Sequence, residues 1–191
     1  MKNKSPETRN KILEATLALV AENGFHGTSV SQIAAKSKVN VGSMYYHFNN
    51  KDDILKALYI HCKKQITQYV FNKSSEDMPP DECLKRMMFQ IVHYFMENEA
   101  EKSFMEQFEN SPYYAEIASS TEYTEIMKPY MELYVDAGKE GLIKDLPLAV
   151  VQSLMYGAIT SLTTYYLSNQ EITSESVLSE AIDAIWDMLK K

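Results

Sequence analysis

Apolar side chains along this chain recur at the helical spacing i, i+3, i+4 and i+7, and no segment shows the two-residue alternation of a strand. Short polar residues that suit helix N-caps precede three of these segments, namely Ser5, Ser29 and Asn40. The strongest amphipathic segment carries its apolar side chains on one face: Leu84, Met87, Met88, Ile91, Val92 and Phe95. We therefore predict an all-α fold with about nine helices.

Several breaks separate the predicted helices. The Asn-Gly pair at 23–24 ends the first helix, because glycine readily takes the left-handed conformation that closes a helix. Residues 74–80, rich in Ser, Pro and acidic side chains, form the clearest break. Pro129 is predicted to kink or restart a helix, since it lacks the backbone N–H. The last two helices are predicted over residues 147–168 and about 174–190.

Charge is distributed unevenly between the two parts of the chain. Residues 1–64 carry ten Lys and Arg and five Asp and Glu, a net charge of +5. Residues 65–191 carry nine basic and twenty-one acidic side chains, a net charge of −12. A basic end on an acidic chain suits a protein that meets a polyanion with one end only. Solvated helix faces are the alternative explanation.

The most informative segment is residues 28–48, which predicts two short helices separated by a tight turn, with an aromatic cluster at the end of the second. The sequence of that second helix reads VNVGSMYYHF from Val39, and Lys51 follows just beyond it. This pattern resembles the N-terminal domain of the tetracycline-repressor (TetR) family of bacterial regulators. The segments that carry the resemblance are residues 8–15, 23–25, 28–30 and 39–51.

The resemblance covers about the first sixty residues and implies a division of the chain into two domains. A helix-turn-helix DNA-binding domain is expected over residues 1–50, with the helix-turn-helix itself at about 29–48. A helical ligand-sensing and dimerisation domain is expected over residues 51–191. In the cytoplasm, such a protein would bind a palindromic operator in double-stranded DNA as a dimer and act as a repressor that its ligand releases.

Two groups of side chains are candidates for DNA contact. Thr28 and Ser29 lie at a predicted helix N-terminus, where free backbone N–H groups favour an anion. The resemblance adds Tyr45, His47 and Lys51, whose positions in the family grip the DNA backbone. Gly42 has no side chain and lets its helix approach the groove floor. Lys38 in the turn supplies charge, and the candidates for base edges are Ser31, Gln32, Asn40, Val41, Ser43 and Tyr46.

This sequence departs from the family pattern at two of these positions. Position 31 is often basic in the family but is Ser here, and position 41 is often Lys but is Val. Both departures reduce the local positive charge, so we expect an operator preference of its own. Two other interpretations stay open: a transcriptional activator, and a small helical enzyme or ligand carrier that does not regulate DNA. Catalytic motifs such as G-x-S-x-G and H-E-x-x-H are absent, which favours a protein that is not an enzyme.

Beyond residue 80 the chain is rich in Met and Tyr. Flexible Met and amphipathic Tyr suit a cavity for a small hydrophobic or aromatic effector. Ordinary core packing is the alternative for each residue taken singly. A cationic group could instead be received by Glu106, Glu109 or Glu116, or these could simply be solvated. The candidate effector-binding residues are Phe95, Phe104, Phe108, Tyr113, Tyr130, Met131, Tyr134, Met155 and Tyr156.

The last two predicted helices have broad apolar faces and carry the small residues Gly157, Ala158, Ala181 and Ala184. Paired with the same helices of a second copy, they would form a four-helix interface across a two-fold axis. Burial within the monomer is the alternative. The family resemblance favours the homodimer.

Other classes of site have little support in the sequence. Cys62 and Cys83 are the only cysteines, do not form a CxxC pair, and are expected to be reduced thiols. The four histidines lack the spacing of a metal site, so no metal and no cofactor are predicted. No apolar run is long enough to span a bilayer, and the first residues do not resemble a secretory signal.

Overall fold

The computed structural model describes residues 5–72, 78–169 and 174–191. These residues form ten α-helices, which confirms the predicted all-α class. The helices are α1 (Pro6–Gly27), α2 (Val30–Ser37), α3 (Val41–His47), α4 (Lys51–Phe71), α5 (Pro80–Glu97), α6 (Glu99–Glu109), α7 (Tyr114–Ala118), α8 (Thr121–Lys139), α9 (Leu148–Ser168) and α10 (Glu175–Leu189).

The chain divides into two compact units. Unit 1 consists of the described part of Met1–Lys64 together with Ala100–Thr124, and unit 2 consists of the described parts of Gln65–Glu99 and Glu125–Lys191. Unit 1 thus contains α1 to α3, most of α4, α6 and α7. The predicted boundary at residue 50 stays a prediction, although the helix-turn-helix shares its compact unit with residues 100–124.

In unit 1, α1 packs against α2, and α2 packs against α3. The apolar positions predicted from helical periodicity point inward. Fully buried side chains from all four N-terminal helices form this core: Ile12, Leu13, Val20, Ile33, Met44, Ile54, Leu55 and Leu58. A core of this kind fixes the relative placement of α2 and α3, because α2 packs against both α1 and α3 and each helix buries its inner face.

In unit 2, α5 packs against α9 and α10, and α10 packs against α9. The amphipathic face predicted for residues 84–95 is buried here, as periodicity required. The end of α10 is tied to the connection between α8 and α9 by an isolated antiparallel bridge between Ile143 and Lys190.

Three predicted helix boundaries differ from the structure or fall partly outside it. At Gly24 the backbone leaves helical geometry (φ +70°, ψ 177°), as predicted, but one further turn follows and α1 ends at Gly27. α8 runs without a break through Pro129, so the predicted restart there is wrong. Of the predicted break at 74–80, residues 73–77 lie outside the described residues, and α5 begins at Pro80.

The tenth helix comes from a boundary at Asn98 that the sequence pattern did not indicate. Asn98 separates α5 from α6 with a non-helical backbone (φ −129°, ψ 56°). Its side-chain amide donates a 2.8 Å hydrogen bond to the Tyr94 carbonyl oxygen near the end of α5. That bond satisfies a carbonyl that the helix end leaves without an intrahelical partner.

Candidate nucleic-acid interface

The first helix of the helix-turn-helix begins with a complete capping box. Ser29 Oγ accepts a hydrogen bond from the Gln32 backbone N–H, and Gln32 Oε1 accepts from the Ser29 N–H at 2.8 Å. Ser29 Oγ also donates to Gln32 Oε1 at 2.7 Å and lies 3.0 Å from Ser31 Oγ. The sequence spacing predicted this arrangement. It occupies the carbonyl end of the Gln32 amide, so only its NH₂ end is left for an adenine.

The turn after α2 is closed by Lys38, whose backbone is left-handed (φ 56°, ψ 29°). The N–H of Lys38 donates to the Ala35 carbonyl, and the N–H of Val39 donates to the Ala34 carbonyl at 3.1 Å. These bonds satisfy carbonyls at the end of α2 and stop the helix. The Lys38 side chain is exposed beside the turn, where it can reach a phosphate.

The second helix of the motif, α3, begins at an Asn40 cap, whose Oδ1 accepts a 2.8 Å hydrogen bond from the Ser43 N–H. Met44 and Phe48 point into the core at 1% and 7% exposure. The opposite face is open, with Val41 at 41%, Tyr45 at 54% and Tyr46 at 48% exposure. A seven-residue helix thus presents one exposed face that combines apolar, hydroxyl and aromatic groups.

Gly42 lies on that exposed face. A Cβ built at this position would meet only Asn40 Oδ1 within 4 Å, at 3.4 Å, which is ordinary contact. The backbone of Gly42 also lies outside the left-handed region that glycine favours. Nothing in the internal packing of this region therefore requires glycine at position 42.

Thr28 and Lys51 have structural roles that the sequence did not reveal. Thr28 is 1% exposed, and its hydroxyl donates to the Gly24 carbonyl oxygen at 2.9 Å. The Lys51 ammonium donates to the carbonyl oxygens of Phe25 at 2.8 Å and Thr28 at 3.0 Å. An ammonium has three N–H groups, so one remains for a phosphate. Phosphate contact by these two side chains stays a prediction.

His47, another predicted phosphate contact, is half-buried at the end of α3. Its ring lies edge-on to Tyr46, with centroids 5.6 Å apart, and tilted against Phe48 at 6.4 Å. On the far side of Phe48, the Arg9 guanidinium lies 5.6 Å from the ring centroid. These contacts hold the C-terminal end of α3 against α1, which positions the exposed tyrosines beside it.

The basic character of the first 64 residues is smaller in the folded unit than in the sequence. Ion pairs join Lys56 to Glu116, Lys63 to Glu109 and Lys64 to Glu122, all within unit 1. Residues 100–124 bring one lysine and five glutamates, so residues 1–64 and 100–124 together carry a formal net charge of +1. The net charge of +5 counted for residues 1–64 stands, but the glutamates of residues 100–124 offset most of it within the same compact unit. Charge at the candidate interface is local, at Lys38 and Lys51.

Glu106, Glu109 and Glu116, the candidates for binding a cationic group of an effector, each form an ion pair with a lysine of the protein. Glu106 pairs with Lys102 at 2.7 Å, while Glu109 and Glu116 pair with lysines of α4. A cation thus reaches each carboxylate, but it belongs to the protein itself. The alternative of simple solvation does not describe Glu109, whose side chain is 17% exposed.

The predicted effector-binding residues are distributed between the two units. Phe104, Phe108 and Tyr113 belong to unit 1, and the other six belong to unit 2. In unit 1, Phe104 and Phe108 are fully buried, and Phe108 stacks on Tyr59 with ring centroids 4.4 Å apart. Phe25, just after the bend in α1, packs on both phenylalanines. Core packing thus accounts for the aromatic residues of α6.

In unit 2, three of the predicted effector-binding residues and Gln152, which was not predicted, form two hydrogen-bonded pairs between α8 and α9. The Tyr134 hydroxyl donates to Met155 Sδ at 2.9 Å, and the Gln152 amide donates to Met131 Sδ at 2.6 Å. Tyr130 is 7% exposed and meets Phe71 edge-on at 4.8 Å. Gln152 was missed because a single polar residue in an apolar helix gives no spacing signal.

Other kinds of site find no support in the described ranges. Among the residues that the structure describes, no three His, Cys, Asp or Glu side chains lie together so that they could hold a metal ion. Cys62 is buried, and burial raises the pKa of its thiol well above the usual value. Within the described ranges, none of the helices has the length and apolar character needed to cross a bilayer.

Comparison with known proteins identifies the family. Residues 12–58 match the family described as bacterial regulatory proteins, tetR family, and residues 79–190 match the tetracyclin repressor-like C-terminal domain. The second match alone covers more than half of the chain. The chain therefore belongs to the TetR family and is a helix-turn-helix transcriptional regulator.

Individual relatives agree with this assignment over the whole length. The fatty acid metabolism regulator protein of Bacillus subtilis is 26% identical over 190 residues, which cover 95% of this chain and 94% of the relative. A crystal structure of a tetR family transcription regulator from Shewanella sp. PV-4 superposes with a TM-score of 0.88 at 22% identity, covering 96% of this chain and 98% of that one. A TetR-family regulator from Haemophilus influenzae superposes with a TM-score of 0.81 at 22% identity, covering 96% and 97%.

Proposed function

We propose that this chain is a cytoplasmic repressor that binds a palindromic operator as a homodimer and leaves it when a small hydrophobic or aromatic effector binds. The observation that carries the DNA-binding part is the exposed face of α3. It combines an uncovered Gly42 with Val41, Tyr45 and Tyr46 at 41–54% exposure. An exposed apolar and aromatic face of this size on a short helix after a tight turn suits insertion into the major groove.

Within this interface, the residues divide by the kind of DNA group that they suit. Val41 and Ser43, on α3, suit a thymine methyl group and a base edge. Tyr45 and Tyr46, as exposed phenols, suit phosphate oxygens at the groove edges. Lys38 and the remaining N–H of Lys51 suit phosphates on either side.

The homodimer is supported by exposed apolar side chains on the last two helices. α9 exposes Val150 and Leu154 at 42% each and Tyr165 at 51%. α10 exposes Val177 at 45% and Met188 at 37%, eleven residues apart and therefore on one face. Apolar side chains exposed in rows on two neighbouring helices suit a self-complementary contact with a second copy.

The effector is supported by the Met- and Tyr-rich interior of unit 2 and by the name of one relative. That relative regulates fatty acid metabolism, which suits an effector with an apolar body. An effector that couples to DNA binding by about 1–3 kcal/mol would weaken operator binding about 5- to 150-fold.

Three single variants, each with one exposed valine replaced by glutamate, test the proposed DNA-binding surface and the proposed dimer contact. Val41, Val135 and Val177 are 41%, 43% and 45% exposed, on α3, α8 and α10. The measurements are binding to the DNA upstream of the protein's own gene, by fluorescence anisotropy, and the molar mass in solution. We expect Val41→Glu to lose specific DNA binding at least tenfold and remain a dimer, because its carboxylate faces the phosphates.

Val177→Glu should produce a monomer with weak operator binding, and Val135→Glu should match the wild type in both measurements. Wild-type binding should fall steeply with salt. Unchanged DNA binding by Val41→Glu would overturn the proposed interface. An unchanged molar mass for Val177→Glu would overturn the proposed dimer contact.

A further inference from the structure

Unit 2 contains one buried and one partly buried hydrogen-bond donor whose acceptors are both thioether sulphurs. The Tyr134 side chain is 97% buried, since Tyr134 is 3% exposed, and its hydroxyl donates to the thioether sulphur of Met155. About one turn earlier in both α8 and α9, the Gln152 amide donates to the thioether sulphur of Met131. A thioether is a weak acceptor, so the buried Tyr134 hydroxyl does not regain what it lost on leaving water, and the partly buried Gln152 amide makes a weak bond.

A third polar group lies on the part of α4 in the same unit. Thr67 Oγ1 is buried and makes no hydrogen bond of good geometry among the described residues. It lies beside the Tyr130 phenol, whose pKa is raised to about 12 because burial outweighs the opposing effect of the neighbouring Thr67. Buried polar groups in folded proteins are nearly always satisfied, and those that are not call for a missing partner.

We propose that the effector lies between α8 and α9 in unit 2 and carries a neutral carbonyl oxygen on an apolar body. Its oxygen accepts hydrogen bonds from Tyr134 and Gln152 in place of the sulphurs of Met155 and Met131. This inference rests on the proposed function for its regulatory meaning, since that function requires an effector. It goes further by naming the site and the chemical class of the ligand.

The methionines make this exchange possible. Met has three rotatable bonds and fills irregular gaps, so its thioether can move aside without disturbing the backbone. In the structure, each sulphur occupies the place where a stronger acceptor would stand. Replacing it with a carbonyl oxygen strengthens the hydrogen bond, while the displaced Met side chains contact the apolar body of the ligand.

The charges of the neighbourhood indicate that the acceptor is neutral. The buried cations among the described residues are Lys63 and Lys102, and both belong to unit 1. A carboxylate placed beside Tyr134 would therefore lack a buried counter-charge, which is costly. A cationic head would meet donors rather than acceptors. An ester, amide or ketone carbonyl fits both conditions.

Calorimetric titration of the purified full chain with matched probes tests this inference. The probes are methyl esters of straight-chain acids of six to sixteen carbons, and for each ester the alkyl methyl ether of equal length and the free carboxylate. We expect the best ester to bind about 3- to 10-fold more tightly per donor than its ether, because the ether lacks the carbonyl oxygen. It should also bind more tightly than the carboxylate.

Tyr134→Phe should weaken binding of the ester about 3- to 10-fold and weaken binding of the ether, whose oxygen is not a carbonyl, by a smaller factor. Tyr69→Phe, which removes a hydroxyl from a side chain that is 38% exposed on α4, is the matched control and should bind every probe as the wild type does. Gln152→Leu should act as Tyr134→Phe does. Melting temperatures of the three variants establish that they are folded.

The inference is overturned if no ester binds more tightly than its ether, if the carboxylates bind more tightly than the esters, or if Tyr134→Phe binds the ester normally. These outcomes leave operator binding untouched, so they are separate from a failure of the proposed function. Conversely, an ester that binds through Tyr134 but does not release DNA upholds the site and contradicts only the ligand-released repressor.

Discussion

The phenol of Tyr59 donates a 2.8 Å hydrogen bond to Oε1 of Glu109, which joins α4 to the end of α6 inside unit 1. Burial, with a further contribution from the Glu109 charge, raises the pKa of Tyr59 far above its ordinary value. The same carboxylate oxygen lies 3.1 Å from the Lys63 ammonium, which in turn lies over the Tyr59 ring at 5.4 Å. The Glu109 carboxylate thus interacts with both the Tyr59 phenol and the Lys63 ammonium at a site where water has little access.

Glu109→Gln should destabilise the protein by about 3 kcal/mol, because it removes the carboxylate charge that lies 3.1 Å from the Lys63 ammonium, whose side chain is 10% exposed. Urea denaturation measures the effect. Glu122→Gln is the matched control. Glu122 pairs with Lys64, which follows Lys63 in the sequence, and both side chains of this pair are more than half exposed. An exposed pair of this kind contributes about 0–1 kcal/mol.

The double variant Glu109→Gln with Lys63→Met should recover most of the lost stability, since it removes the buried charge together with its partner. Equal losses for Glu109→Gln and Glu122→Gln would show that burial does not strengthen the Glu109 pair.

Stability should fall with rising pH above about 10, the pKa of an unfolded tyrosine. Burial raises the pKa of Tyr130 to about 12, and it raises those of Tyr59, Tyr123 and Tyr134 further. The folded state therefore keeps protons that the unfolded state loses. The stabilisation is fully present below pH 10 and declines by up to about 1.4 kcal/mol per pH unit for each such tyrosine.

Urea midpoints measured from pH 8 to 11 test this dependence on pH. Tyr130→Phe should show a shallower decline than the wild type between pH 10 and 11, since one raised pKa is removed. Tyr69→Phe, exposed on α4, is the control that tests for a general effect of losing a hydroxyl. If Tyr130→Phe and the wild type decline in parallel, the Tyr130 phenol does not stay protonated in the folded state.

Whether an interaction could be predicted from the sequence depended on how far apart its two residues are along the chain. The capping box of Ser29 and Gln32 and the cap at Asn40 were predicted because each joins residues three apart. The hydrogen bonds from Lys51 to the carbonyls of Phe25 and Thr28 join residues 26 and 23 positions apart, and no local pattern signals them.

Charge was the feature in which sequence reasoning was least complete. The net charge of the first 64 residues was counted correctly, but the glutamates that pair with Lys56, Lys63 and Lys64 are 60, 46 and 58 residues away in sequence. Only the fold brings residues 100–124 into the same unit. The break at Asn98 was missed for a different reason, because no Gly or Pro marks it.

Gly42→Ala should weaken operator binding at least tenfold while the folded state becomes no less stable. An alanine Cβ here meets only Asn40 Oδ1, at an ordinary distance, and alanine favours a helix over glycine by up to about 1 kcal/mol. The methyl group would instead stand between α3 and the groove floor. Anisotropy and urea denaturation measure the two effects.

Gly138→Ala is the control for Gly42→Ala, because a Cβ at this helical glycine of α8 meets no protein atom within 4 Å. It should bind DNA normally. Normal DNA binding by Gly42→Ala would mean that α3 does not approach the bases closely at this position.

Asn40→Asp separates the structural role of Asn40 from its place at the candidate interface. Asn40 Oδ1 caps α3 by accepting from the Ser43 N–H, and an aspartate oxygen can make the same bond with equal preference. The negative charge also suits a helix N-terminus. The unfolding free energy should therefore stay within about 0.5 kcal/mol of the wild type, or rise.

DNA binding by Asn40→Asp should fall at least tenfold, because the new carboxylate is repelled by the phosphates around the groove. Ser174→Asp introduces a charge at another N-cap, that of α10, where Ser174 Oγ accepts from the Val177 N–H, and it should leave operator affinity unchanged. At low salt the DNA affinity of Asn40→Asp should rise, because the remaining phosphate contacts become stronger. It should still stay below the affinity of the wild type. A loss of stability equal to the loss of binding would instead make Asn40 a purely structural residue.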